Sequence, residues 1–205
     1  MARRGYHHGN LRQELVEATL ALIEAKGPTG FTLSEAAKAA GATPPAVYRH
    51  FEGREDMIAE AALQGYRIFA DLMEHAYETA GPGTLGRFNA AGRAYLAFAR
   101  KFPGHYVAMF ESGISINHSA ALARESGRAF GVLERAAREL TAHIPADRRP
   151  PSQMVSAHVW AMSHGVVELF ARGSPGTKAP YPPEDLLETG LGVYLRGLGL
   201  LPADA

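Results

Sequence analysis

The chain has no cysteine among its 205 residues. That removes disulfides and thiolate-bound metal as sources of stability. No stretch of about twenty residues is free of polar groups, and the opening MARRG is followed by no apolar signal core, so a soluble cytoplasmic protein without a membrane span is expected. Net charge is also missing: 21 Lys and Arg balance 21 Asp and Glu. A strong overall attraction to a polyanion is therefore excluded, but a local one is not. Arg3, Arg4 and Arg12 all precede the first acid, Glu14, and with His7 and His8 they make the N-terminus locally basic. No run alternates polar and apolar residues as a half-buried strand would, and no internal repeat is visible.

What is present is helical spacing. Apolar residues recur at three and four in nearly every long segment, which predicts an all-α protein of about nine helices, and 46% hydrophobic content is enough for a sizeable core. The first helix starts at Asn10, a capping residue, with an apolar stripe of Leu11, Leu15, Ala18 and Leu22, and stops at Lys26-Gly27-Pro28. Thr32-Leu33-Ser34-Glu35 has the form of a capping box and opens a second helix through Ala40, closed by Gly41. A third runs from Thr43 to Phe51 with Pro44 and Pro45 in its first turn, where proline is tolerated because those N–H groups have no intrahelical acceptor. One long helix then covers 54 to about 80, ended by Gly81-Pro82-Gly83, and further helices are expected near 84–102, 103–112, 118–144, 152–172 and 184–200. The expected division is an N-terminal domain of residues 1–53 and a C-terminal domain of 54–205 that includes the long connecting helix.

The third helix is too short to be stable alone, so its Val47/Phe51 edge must pack on the two before it. The opposite edge carries Pro45 and Arg49, with Tyr48 flanking and His50 at the border. Two short helices joined by Gly41-Ala42-Thr43 in this way form an arrangement that inserts a helix N-terminus into the DNA major groove. Pro44, Pro45 and Ala46 suit close apolar contact with thymine methyls. Arg49 can reach base edges or phosphate, and Tyr48 and His50 present hydrogen-bonding tips to the backbone. Thr32 and Thr43 stand at helix N-termini, where unpaired N–H groups and the helix dipole favour phosphate. The alternative for the same stretch is a helical corner with a Tyr/His/Phe cluster in its core, which accounts for Val47 and Phe51 but leaves Tyr48, Arg49 and His50 without a purpose.

The run FTLSEAAKAAGATPPAVYRHFEGREDMI resembles the helix-turn-helix of the tetracycline-repressor (TetR) family, and YHHGNLR resembles the N-terminus of many members. The resemblance spans about residues 6 to 60. It implies a three-helix DNA-binding head linked by a long fourth helix to a helical body that binds an effector and dimerises through its last two helices. It also implies DNA contacts from Ser34, from the basic arm with Arg3 and Arg4, and from Arg54, which stands where lysine is frequent. With Pro44-Pro45 at the helix start, few side chains there can hydrogen-bond to bases. Base readout then falls to Arg49, apolar contacts, Ser34 and the arm. YLAFARKFPGHYVAMF, followed by Trp160, His164 and Gly165 in VWAMSHGVVELF, is similar to the subgroup whose C-terminal domain is named for Trp-His-Gly.

Residues 153–171 are apolar nearly all round, so both faces need a cover, and Ala157, Ala161 and Gly165 at four-residue spacing permit close helix approach. Together with Leu187, Leu191, Tyr194 and Leu198 of the last helix they are the candidate dimer surface, two such pairs making an isologous four-helix interface. Candidates for a small-molecule effector pocket are Phe98, Phe102, Tyr106, Met109, Phe110, Phe130, Trp160, His164 and Glu168, each of which also reads as an ordinary core residue. His164 and Glu168, one turn apart, form either an internal hydrogen bond or a polar handle for a ligand. Catalysis is not expected. The nine histidines include no H-E-x-x-H, Gly113-Ile114-Ser115-Ile116-Asn117 misses the G-x-S-x-G elbow, and neither a metal nor a cofactor is implied. The sequence thus points to a regulator, most simply a repressor, that binds palindromic duplex DNA as a homodimer and is released by an apolar or aromatic molecule. A helical adaptor for protein partners is the rival.

Overall fold

The computed structural model describes residues 11–81, 83–172 and 181–201. Among them nine α-helices follow one another: α1 Leu11–Lys26, α2 Leu33–Ala39, α3 Pro44–Val47, α4 Arg54–Thr79, α5 Thr84–Lys101, α6 Pro103–Phe110, α7 Ala120–Thr141, α8 Ser152–Val166 and α9 Pro183–Gly197. A 3₁₀ turn, Ile116–His118, precedes α7, and a π-helical turn, Val167–Ala171, continues α8. The described residues contain no strand, so the all-α expectation holds. None of these helices is long and apolar enough to cross a membrane. Asn10, the expected first cap, and the arm with Arg3 and Arg4 lie outside the described residues.

The buried face of α1 is Leu15, Val16, Thr19 and Ile23, so the stripe is turned from the expected one, whose Leu11, Ala18 and Leu22 are half-buried. A threonine fits there because its hydroxyl donates to the Leu15 carbonyl at 2.8 Å and leaves no unmet polar atom. The capping box of α2 is complete. Thr32 Oγ1 accepts from the Glu35 amide at 3.2 Å, and Glu35 Oε2 accepts from the Thr32 amide at 2.8 Å. Gly41 follows at φ 66°, the left-handed conformation that lets the chain leave α2 and turn at once into α3.

The helix α3 is shorter than expected. Its α-helical part ends at Val47, and the chain tightens through Tyr48–His50, with the Val47 carbonyl accepting from both His50 at 2.8 Å and Phe51 at 3.0 Å. The predicted packing edge survives this change, since Val47 and Phe51 are both buried. Thr43 takes the extended N-cap geometry, and its side chain makes no cap hydrogen bond. Pro45 has no N–H to offer, and the Ala46 amide already donates to the Thr43 carbonyl at 2.9 Å.

The described residues fold into two compact units, one within 11–66 and 102–124 and the other within 67–101 and 125–201. The boundary between these units falls within α4, and α6 joins the first unit. In that unit α1 packs on α2 and α6, and α2 on α3. The carboxylate of Glu24 accepts from the Gly104 amide at 2.9 Å and so caps α6 from α1. Glycine is needed at this contact: a Cβ on Gly104 would lie 2.7 Å from Glu24 Oε1 and 3.1 Å from the Leu20 carbonyl oxygen. Gly65 of α4 is equally tight, since a Cβ there would stand 2.6 Å from Met109 Sδ.

In the second unit the ring of Phe69 packs against Tyr95 at 5.1 Å and Phe98 at 5.0 Å between centroids. Leu187, Leu191 and Leu195 of α9 are buried, and the first two lie against Gly92 of α5. Arg128 of α7 is held among three carboxylates, Asp71, Glu74 and Glu125.

Candidate nucleic-acid interface

The first unit presents one edge of α3 to solvent. Pro44, Pro45, Tyr48, Arg49 and His50 are exposed, Tyr48 at 62%, while Val47 behind them is wholly buried. Ala46 is half-buried at the margin. A large aromatic ring left this open next to a guanidinium costs apolar exposure, which marks a contact surface more than a folding device. Phe51, at the end of this turn, lies under the guanidinium of Arg12 at 4.8 Å, and Arg12 is in turn paired with Glu60 at 2.7 Å. Arg12, counted at first with the basic N-terminus, is thus part of the head's own packing. Its hydrogen bond to Glu60 holds the charged form and raises its pKa.

Ser34, Thr32 and Thr43 are exposed on the same unit. Thr32 is not a free donor, however, because both its amide and its hydroxyl are engaged with Glu35. Glu35 also pairs with Lys26 at 2.6 Å, and these hydrogen bonds hold its carboxyl at about 2. Arg54 is engaged within the head. Its Nη1 donates to the Pro28 carbonyl at 2.9 Å and its guanidinium stacks over Phe31 at 5.7 Å, so it ties the start of α4 to the loop before α2.

The effector candidates divide between the units. Phe102, Tyr106, Met109 and Phe110 belong to the first. There Tyr106 and Met109 are buried, and the Tyr106 and Phe110 rings meet at 4.9 Å. Phe98, Phe130, Trp160, His164 and Glu168 belong to the second. Trp160 is bracketed by Phe130 at 5.2 Å and His164 at 5.7 Å. His164 Nδ1 shares a hydrogen bond of 2.9 Å with the hydroxyl of Tyr95. The internal His164–Glu168 bond is not formed: Glu168 Oε1 is buried with no hydrogen-bond partner and lies 3.6 Å from Arg172 Nη1. Tyr95 was missed, although its position three residues before Phe98 places both on one face of α5.

The dimer candidates also separate. Ala157 and Ala161 are exposed, and Gly165 is half-buried with open space where a Cβ would be. Tyr194 and Leu198 are half-buried, and Tyr194 shares a hydrogen bond of 2.9 Å with His158. Leu187 and Leu191 are corrected: α5 of their own chain covers them, so they are core and unavailable to a second copy. Large apolar residues also stand exposed on α8 and its π-helical turn, Met154, Leu169 and Phe170, and on α9, Val193, which an all-round apolar pattern could not single out.

Comparison with known proteins agrees with this geometry. Residues 15–61 match the family described as bacterial regulatory proteins, tetR family, and residues 88–194 match the tetracyclin repressor-like C-terminal domain. An uncharacterized HTH-type transcriptional regulator of Bacillus subtilis, YobS, is 27% identical over 101 residues. That match takes in 49% of this chain and 51% of the other protein, so the chain spans about half the length of the curated relative it matches. A Rhodococcus sp. RHA1 protein of unknown function has the same fold with a TM-score of 0.77 at 22% identity, covering 95% of this chain and 98% of that one. AibR, solved in complex with isovaleryl coenzyme A and operator DNA, superposes with a TM-score of 0.68 at 15% identity over 89% of this chain and 97% of its own. With both halves matched and the exposed α3 edge where a helix-turn-helix carries its reading surface, the chain belongs to the TetR family of bacterial regulatory proteins.

Proposed function

We propose that this protein is a DNA-binding transcriptional regulator, most simply a repressor, that grips a palindromic operator as a homodimer and releases it when a small apolar or aromatic molecule binds. The observation that carries the proposal is the exposed edge of α3. Tyr48, Arg49 and His50 project from a turn whose opposite side, Val47 and Phe51, is buried, so the polar tips are held on a rigid base. Pro44, Pro45 and Ala46 supply apolar contact to bases, Arg49 supplies a base edge or phosphate contact, and Tyr48, His50, Ser34 and Thr43 supply phosphate contacts. Arg3 and Arg4 of the arm add charge. Thr32 contributes less than a free threonine would, and Arg54 serves the head from inside.

Dimerisation is assigned to the open face of α8 and α9, with Ala157, Ala161, Gly165, Tyr194 and Leu198 at its centre, where small residues allow helices to approach. Effector binding is assigned to the body. AibR, with the same fold, was solved holding both an acyl coenzyme A and operator DNA, which supports a body that holds a ligand. The ligand acts through α4, one continuous helix with residues in both units. Coupling of this kind is reciprocal, so DNA must weaken effector binding by the factor by which effector weakens DNA binding.

The test is selection of bound fragments from genomic DNA, followed by a screen for compounds that release them. Recovery of a palindromic site bound by two chains supports the proposal. Binding to a protein partner that is indifferent to salt, with no duplex selected, would replace it by the adaptor reading.

A further inference from the structure

The first turn of α3 has no hydrogen-bond donor to give away. Pro44 and Pro45 carry no N–H, and the next two amides are used inside the turn: Ala46 N donates to the Thr43 carbonyl at 2.9 Å and Val47 N to the same oxygen at 3.3 Å. A helix start ordinarily presents free N–H groups to a phosphate or a base edge, and this one presents none. What it presents is carbon. Both proline rings are exposed, and Ala46 is half-buried at their margin. Base edges in the major groove are rows of donors and acceptors, and the one apolar group among them is the C5-methyl of thymine. A polar edge pressed against the prolines is left unpaired, which weakens binding. A methyl group pressed there is removed from water, which strengthens it.

We infer that the first turn of α3 reads the C5-methyl group of pyrimidines and not their hydrogen-bonding atoms, so that its part of each half-site carries thymine, and 5-methylcytosine serves there where cytosine does not. This rests on the DNA-reading proposal above and gives the operator a chemical class. It also makes binding sensitive to cytosine C5 methylation at those positions. Thymine paired with adenine and 5-methylcytosine paired with guanine share the methyl, while a donor and an acceptor change places in the groove beside it. A side chain that hydrogen-bonds separates the two pairs, and a proline ring groups them. Arg49, on the same exposed edge, has five N–H donors and reads by a different rule.

The test is a scan of the selected operator by fluorescence anisotropy. Each thymine in turn is replaced by uracil, which removes the methyl and nothing else, and the positions found are then filled with cytosine or 5-methylcytosine. At adjacent positions of each half-site, uracil is expected to lower affinity about threefold to fivefold, the equivalent of one buried methyl group. There 5-methylcytosine is expected to bind more tightly than cytosine by the same factor. Pro44→Ser with Pro45→Ser, which restores two N–H groups at a helix start where serine is favoured, should abolish both differences. Arg49→Ala should lower affinity and keep both. The uracil scan leaves the protein untouched, so it decides the matter whether or not the serine variant folds. Uracil tolerated at every position, no gain from 5-methylcytosine over cytosine, or differences that persist in the serine variant would overturn the inference. If one of these results comes with an operator whose binding still needs Tyr48 and Arg49, the DNA-reading proposal stands and only this inference fails. If no duplex is selected, both fail together.

Discussion

Tyr48 and Arg49 are neighbours in sequence with different expected signatures. If the hydroxyl of Tyr48 meets a phosphate, Tyr48→Phe lowers affinity by about 1 kcal/mol on most sequences, the net value of a typical hydrogen bond. Arg49→Ala instead loses about 1 to 3 kcal/mol at one base position if Arg49 reads a guanine, and an equal loss across all sequences reassigns it to the backbone. Competition titrations against a library of operator variants distinguish these outcomes. Glu35 gives a pH signature of folding. Its carboxyl is held at about 2, below its ordinary value of 4.5, mainly by the Lys26 hydrogen bond and then by Thr32. Its contribution is thus complete above the ordinary value and is lost as pH falls from about 4.5 towards 2. Urea unfolding at a series of pH values should show this loss in the wild type and not in Glu35→Gln. The Thr32–Glu35 box was legible from four letters because a cap is a local matter of backbone and side chain. Arg54 was not legible, because its partners Pro28 and Phe31 are more than twenty positions away in sequence and nothing local announces them.

At the scale of elements, α6 is the least expected finding. Read along the sequence it follows α5 and belongs to the C-terminal part, yet it packs in the unit that holds α1, α2 and α3. The device is two glycines and one carboxylate, Gly65, Gly104 and Glu24. Gly104→Ala drives a methyl towards a backbone carbonyl that cannot yield, so it should destabilise the first unit by about 1 to 3 kcal/mol, measured as a lower denaturation midpoint. Glu24→Gln keeps a hydrogen-bond acceptor for the Gly104 amide and should cost less. Helix boundaries were readable to within a few residues because caps, prolines and glycines mark them. Which face of a helix is buried was harder to read: the true face of α1 includes Thr19, a polar residue that satisfies itself on its own helix, so hydrophobicity pointed one residue aside.

At the scale of the whole molecule the sequence revealed the architecture through a head whose spacing, caps and exposed ring agree with one another. It gave less about the body, where nearly every helix is apolar enough to be core, pocket or interface. Leu187 and Leu191 illustrate the difficulty: their spacing suits a dimer contact as well as it suits the cover on α5 that they form. In the proposed function the assembly falls to the exposed Ala157 and Ala161. Ala161→Trp should weaken self-association and operator binding together, read by sedimentation and by anisotropy on one preparation, while an isolated loss of DNA affinity would place the dimer contact elsewhere. The two recognition helices of a dimer should reach successive major grooves about 34 to 36 Å apart. The most direct measurement is the affinity of the wild-type protein for its selected operator as salt is raised from about 50 to 200 mM, with stoichiometry determined at each point. A linear fall of log affinity with log salt, amounting to about a thousandfold or more, with two chains on each duplex is the predicted result. Affinity that stays level with salt, or that is unchanged when Tyr48 and Arg49 are both replaced by alanine, would contradict a DNA-reading surface on α3.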